Sequence, residues 1–333
     1  MFTPVETSIG ALLLHQATSV LLFQNGTILG VSGFLRSVLN SPTKSTIAFF
    51  AGMAASFVPL KLFIPELLTS YPAAPSTIQQ AIVTAGVGAL VGWGTKLSNG
   101  CTSGHMLCGL GRLSARSAIA VATFFPLAIL THHLVHPSLL TDLCTGTTPC
   151  YTPIYPSATT TKSLLLLAAL AIYTSRTLPT LLSQSTNPSD DKSASNPNAP
   201  ARLATLFLSG LEFGLGLHIT QMSHPSKVLS FLSFPRLHLW DPSLALVLLF
   251  AVLPNALEIR LRGLDAPPLF SDRFDIPKKT VADTDWKFVL GAAAFGVGWG
   301  LTGTCPGPAV LRAVAQPGWG ILWVGGFWVG GRV

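Results

Sequence analysis

One pattern occurs twice in this chain: an apolar run studded with glycine that breaks at a cysteine. The first copy is Gly92-Trp93-Gly94-Thr95-Lys96-Leu97-Ser98-Asn99-Gly100-Cys101-Thr102-Ser103-Gly104-His105. The second is Gly296-Val297-Gly298-Trp299-Gly300-Leu301-Thr302-Gly303-Thr304-Cys305-Pro306-Gly307. Aligned on the cysteines, Gly92 meets Gly296, Gly94 meets Gly298, Leu97 meets Leu301 and Ser98 meets Thr302. Two copies at one register indicate an internal duplication. Each copy reads as an apolar helix interrupted at its cysteine. The fold must therefore be a set of packed helices with breaks inside it.

The surroundings of those helices follow from charge. Of 333 residues, 10% are charged and 49% hydrophobic, and the mean hydropathy is +0.54. A soluble domain carries about 25% charged residues. Too few charges are present to coat a water-facing surface, so the chain reads as an integral membrane protein. The net charge of +7 is spread over loops rather than gathered in a patch. Placement of basic loops on the inner side explains it; nucleic acid is not an expected partner, and the basic balance leans towards an anionic substrate. Met1 to Gln16 has no basic leader region and carries Glu6, so no cleavable signal is expected.

A spanning helix needs about 20 mainly apolar residues. Candidate spans are roughly 8–23, 45–68, 78–97, 117–135, 163–182, 203–219, 242–259, 286–302 and 319–331. The expected fold is all-α and polytopic: two pseudo-symmetric halves with broken or re-entrant short helices around a central path. The halves are 1–182 and 203–333, joined by a flexible polar linker at 183–202. The first segment runs into the glycine-punctuated stretch Gln24–Gly33, a broken piece, whose partner is Gly210–His218 running into Gln221–Pro225. Loop 137–162 has Lys162 as its only base and reads as outer; the linker and the charged loop 260–285 read as cytoplasmic. Gly88 and Gly92 have a helix-packing spacing. Gly86-Val87-Gly88 is not a nucleotide loop, since no strand precedes it and Lys96-Leu97 is not Lys-Ser/Thr. Asp241 with Pro242 and Ser243 reads as a capped helix start. Asn25-Gly26-Thr27 is formally a glycosylation sequon, expected to be unused beside a membrane segment. Cys144 and Cys150 either form a small disulfide in an oxidising space or remain free loop thiols.

The chemistry gathers at the two breaks. If Cys101 starts a helix, with Gly100 taking the backbone angles a helix cannot, then Cys101, His105 and Cys108 are spaced i, i+4, i+7 on one face. Unpaired N–H groups at that start would attract an anion. Cys305 with Pro306 repeats the logic, because proline suits a first turn. If both starts face one axis, they form a pocket with a thiol on each side. Gly100, Thr102, Ser103 and Thr304 are the small neighbours that would let a narrow path pass. A thiol is a weak donor and its sulfur a polarisable acceptor, which suits a soft sulfur-bearing anion and avoids trapping it. Lys227 is a candidate for gathering anions. Against these readings, Cys101, Cys108 and Cys305 can be small buried residues, and His105 a packed histidine. A metal set of Cys101, His105 and Cys108 lacks a fourth ligand and Cys-x2-Cys spacing, so no metal or cofactor is expected. His132 and His136, one turn apart, can bind a metal or a proton, or be polar groups at the membrane interface.

These motifs resemble the YeeE/YedE family of sulfur-compound transport membrane proteins. The resemblance rests on the two cysteine motifs, on Cys108-Gly109, and on Met222-x-x-Pro225-x-Lys227-Val228-x-x-Phe231-Leu232 with Trp240-Asp241-Pro242-Ser243-Leu244. It implies thiosulfate uptake across the plasma membrane through a pinched central path, with cysteines relaying the ion; the matching positions are Cys101 and Cys305. The family's transporters place a further path cysteine near the first glycine-rich break, and Gly26–Gly33 has none. The long linker and the 260–285 loop point to a eukaryotic member. A soluble sulfur-accepting protein is a candidate partner, beside the bilayer and the anion. The competing reading is an enzyme, a membrane sulfur-transferase or thiol oxidoreductase using Cys101 or Cys305 covalently. A general base and a cofactor motif are both lacking for it, so the chain is not expected to be an enzyme.

Overall fold

The computed structural model describes residues 1–136, 148–184 and 196–333. The described residues are helical. The first helices are α1 (Pro4–Asn25), α2 (Val31–Asn40), α3 (Lys44–Ala55), α4 (Phe57–Phe63) and α5 (Ile78–Leu97). A π-helix, Thr102–Leu110, precedes α6 (Ala115–Val135) and α7 (Ala158–Gln184). Then come α8 (Pro200–Ile219), α9 (Pro225–Leu232), α10 (Ala245–Val247) and α11 (Leu253–Arg262), the last two lying on one rod from Pro242 to Arg262. The chain finishes with α12 (Trp286–Thr302), α13 (Pro306–Ala315) and α14 (Pro317–Gly330).

Helices form at all nine expected places, but fewer are spanning by length and composition. Among the described residues five qualify: Pro4–Asn25, Lys44–Phe63, Ala115–Val135, Ala158–Gln184 and Pro242–Arg262. α12 and α13 make a sixth if their 42° bend lies within one span. α5 and α8 fall short because they carry glycines and polar side chains such as Gln80, Lys96 and Glu212. α14 has 14 residues, about 21 Å at 1.5 Å per residue, against a hydrocarbon core of about 30 Å.

Glycine decides how the helices pack. Gly88 and Gly92 of α5 lie against the backbone of Trp323 and Phe327 of α14, and Gly326 and Gly330 answer against Ala85 and Ala89. A side chain at any of these four would run into main chain. In lipid, where burial of apolar surface does not drive helices together, such close approach supplies the packing. Gly296 and Gly300 do the same for α12 against Phe124 and Ala128 of α6. The helix after each break thus packs on the helix before the other break: α6 on α12, α14 on α5. Gly94 and Gly291 then join α5 to α12, and Gly52 and Gly210 join α3 to α8.

The stretch after α1 is broken as expected. Gly26 is left-handed (φ 69°) and ends α1; its position lies beside Arg273 O, so only glycine fits. Its partner after α8 turns through Gln221 (φ 58°) into α9. Residues 263–285 form a strap across the Asn25 end. Leu269 N–H, Phe270 N–H and Asp275 N–H donate to the carbonyls of Phe23, Gln24 and Gly26. Asn25 is buried and donates to Arg202 O (3.0 Å). At the opposite end Met1, Thr3, Lys227 and Asp241 meet. Cys144 and most of the 183–202 linker lie outside the described residues.

Candidate functional site

The two cysteine breaks are built from different turns. At the second, α12 ends in Gly303, which is left-handed (φ 65°). A Cβ on Gly303 would lie 2.6 Å from Pro225 O, so the position excludes any side chain. Cys305 is then the residue before α13, with Pro306 first in the helix, and no side chain caps that start. At the first break the left-handed residue is Asn99 (φ 55°), not Gly100 as the sequence led us to expect. Asparagine tolerates that conformation. Gly100 is needed for room, because a Cβ would lie 2.7 Å from His105 Nε2. Cys101 precedes the π-helix, again with no side-chain cap.

Both uncapped helix starts reach one cavity. Thr102 Oγ1 donates to Cys305 Sγ (3.4 Å). Cys101 Sγ lies 3.3 Å from Ser103 Oγ, and that oxygen accepts from Val31 N–H (3.1 Å). The cavity, about 40 Å³, is lined by Cys101, Thr102, Ser103 and Cys305, with Met106, Met222, Phe213, Leu217 and Pro308 among the apolar walls. A single water needs about 10–15 Å³ on this measure. Among the described residues no charged side chain lines it. Thr304 is buried, donates to Thr302 O (3.2 Å) and shapes the turn. The sequence reading places Met222 in the stretch Gln221–Pro225 and in the motif Met222-x-x-Pro225 without a role at the site, and it passes over Met106.

The expected common face of Cys101, His105 and Cys108 does not form. Cys101 itself lies before the helix in extended backbone (φ −126°, ψ −163°), and beyond it the π-helix closes i to i+5 rather than i to i+4, so the three side chains leave an α-helical stripe. Cys101 faces the Cys305 cavity. His105 points away: Nε2–H donates to Ser98 O (2.9 Å) and Nδ1 pairs with Ser117 Oγ (3.1 Å). Cys108 Sγ donates to Leu29 O (3.4 Å), in the turn after α1. It lines a second, smaller cavity of about 20 Å³ with Thr18, Arg112, Asn255 and Glu258.

Lys227 is the candidate that the fold sets apart. Its Nζ is 2.9 Å from Asp241 Oδ2 and donates to Met1 O (2.6 Å) and Thr3 Oγ1 (2.8 Å). Burial by itself would push Asp241 up; Lys227 and the bonds from Ser243 outweigh it and hold the carboxyl below the usual range. A lysine so committed fixes α9 and the chain start. It lines none of the cavities described here.

On the strap side of the first break lies a wide vestibule of about 640 Å³, lined by Gly100, Gly104, His105, Arg112, Arg116, Asp275, Lys278 and Lys279 among others. The sequence reading passed over Arg112 and Arg116. Their signal was two arginines four apart immediately after the break. His132 and His136 have ring centroids 5.4 Å apart, and no group of three His, Cys, Asp or Glu among the described residues is arranged to hold a metal.

Comparison with known proteins adds to this geometry. Residues 201–331 match the Family of unknown function (DUF6691). Over 127 residues the chain is 42% identical to a "Probable transporter" of Xylella fastidiosa (strain Temecula1 / ATCC 700964), covering 37% of this chain and 81% of that protein. The chain belongs to this family of probable transporters. A family member from strain 9a5c is 44% identical over 113 residues, covering 33% of this chain and 73% of its own. Another from the same strain is 36% identical over 118 residues, covering 35% and 83%. These coverages make each family member about half as long as this chain.

Proposed function

We propose that the chain carries thiosulfate, or a closely related sulfur anion, across the membrane through the cavity between Cys101 and Cys305. The observation that carries this reading is the meeting of two uncapped helix starts, each led by a cysteine, on one uncharged cavity, with Thr102 Oγ1 on Cys305 Sγ. Thiols and thioethers offer a doubly charged ion soft contacts without a fixed countercharge to hold it. The likeness to the YeeE/YedE family and the kinship with probable transporters support it. The cavity, about 40 Å³, has room for on the order of three waters at about 10–15 Å³ each. Met106 and Met222 are the adaptable walls. Cys108 stands beside the first glycine-rich break, where the family places its further path cysteine, and Arg112 leads from its cavity to the vestibule.

We assign residues 1–182 and 203–333 to two related halves joined by 183–202. Relatives about half this length support the division. The strap and the linker face the cytoplasm in this reading, in a plasma membrane, and a soluble sulfur acceptor would take the ion there. The test is growth of a thiosulfate-uptake-deficient cell on thiosulfate as sole sulfur source. Wild type rescues, and Cys101→Ala and Cys305→Ala, present in the membrane at equal level, do not. Rescue unchanged in both variants overturns the thiol path and leaves transport standing. A persulfide trapped on either cysteine would favour the enzyme reading.

A further inference from the structure

We propose that the vestibule is itself a binding site, for a small tetrahedral oxyanion with two negative charges, separate from the cysteine cavity. It rests on charge and geometry. Arg112, Arg116, Lys278 and Lys279 line it, against the single carboxylate of Asp275. None of these four cations is in an ion pair among the described residues. Arg116 is 7% exposed, and its Nε has no partner. Its guanidinium lies over the Phe288 ring at 4.0 Å, which fixes the plane of the fork. Asp283 and Asp285 act on Arg116 from a distance but form no ion pair with it among the described residues; Asp283 accepts from Thr280 N–H (2.7 Å) and Asp285 from Phe288 N–H (2.8 Å). Arg112 is anchored through Nε to Cys108 O (3.2 Å), which leaves its terminal nitrogens for a ligand.

Two immobilised guanidiniums offer paired N–H donors that match the oxygens of a sulfate-like group. An unpaired buried cation is costly unless something neutralises it, and a doubly charged anion answers the surplus here. The strap supplies the lysines. It is held over α1 by Asp275 N–H on Gly26 O (2.7 Å), which sets Lys278 and Lys279 at the rim. The floor is the 100–105 segment, whose other side carries Cys101 into its cavity. The vestibule reads only charge and oxygens, so it binds sulfate and thiosulfate alike, and discrimination belongs to the thiols. The role as a holding site rests on the transport reading; the binding does not.

The experiment is calorimetric titration of the purified full-length protein in detergent with sodium sulfate and with sodium thiosulfate, ionic strength held constant with sodium chloride. Both anions bind with similar affinity. Arg112→Gln with Arg116→Gln weakens both by about tenfold or more, as loss of charge-assisted bonds implies. Lys278→Gln with Lys279→Gln weakens both about threefold; these side chains are exposed, so this variant keeps the fold. Cys101→Ala with Cys305→Ala leaves sulfate binding unchanged. Absence of sulfate binding in wild type, or binding indifferent to the lysine pair, overturns the site while thiosulfate transport stands or falls on the growth test. Binding as described in a protein that moves no thiosulfate keeps the site and overturns the transport reading.

Discussion

Around Cys305 the chain turns at Gly303 and enters a regular helix at Pro306; around Cys101 it turns at Asn99, is squeezed at Gly100 and enters a π-helix. The supports differ too. The first break is held by neutral bonds, His105 between Ser98 O and Ser117 Oγ, and Ser103 under Val31 N–H. The second leans on α9, whose Pro225 O faces Gly303 and whose Lys227 is paired with Asp241. Yet Thr102 and Cys305 meet across one cavity. What the two copies share is a cysteine directly before the first turn of the next helix. The turn chemistry and the clamp have diverged.

The largest expected effect tests the packing that both copies share. Gly88→Leu and Gly296→Leu each place a side chain on facing main chain. Both should lose the folded, monodisperse protein in detergent, beyond the ~1–3 kcal/mol of ordinary overpacking. A marked inequality between them would break the likeness of the two halves.

Next is the charged clamp. Lys227→Met leaves buried Asp241 with only the more distant Met1 ammonium (3.4 Å) as ionic partner and should cost less than the roughly 3–5 kcal/mol of a fully orphaned buried charge, read as a fall in thermal midpoint. Adding Asp241→Leu should restore most of it. Because Asp241 is held below the usual range, with Lys227 outweighing its burial, its contribution is present above about pH 4 and lost as pH falls through the folded value. The double variant should lose this acid dependence. An unchanged acid slope would mean that the clamp at the second break is not the ion pair.

The turns come third. Gly303→Ala should destabilise by roughly 1–2 kcal/mol from its left-handed backbone, plus the collision with Pro225 O. Asn99→Ala should cost less, because Asn99 is exposed and already carries a Cβ at that backbone. Equal losses in thermal midpoint would say that the two turns are more alike than their geometry. The smallest effect is Thr102→Val, about 1 kcal/mol or less in stability, with slower uptake.

Much of the architecture was legible because lipid imposes strict rules. Sparse charge gave the all-α membrane class, the glycine spacing of Gly88 and Gly92 gave a packing face, and Asp241-Pro242-Ser243 gave a capped start, with Ser243 N–H on Asp241 Oδ1 (2.9 Å). The breaks at Cys101 and Cys305 were also legible, since glycine, proline and cysteine interrupt an apolar run. What was hidden depends on contacts far apart in sequence or on helix type. Lys227 looked free until it was seen against Met1 O and Asp241. The i, i+4, i+7 stripe assumed an α-helix that includes Cys101, whereas Cys101 is extended before a π-helix, which scatters Cys101, His105 and Cys108. Arg112 and Arg116 read as loop charges because the strap that encloses them is about 160 residues away in sequence.

The most direct test of the proposed path is thiosulfate flux into proteoliposomes containing purified wild type, Cys101→Ala, Cys305→Ala or the double variant. The account predicts flux in wild type, a fall of tenfold or more (about 1.4 kcal/mol) in each single variant, and none further in the double, since both thiols line one cavity. Flux near the wild-type rate in the double variant would contradict it.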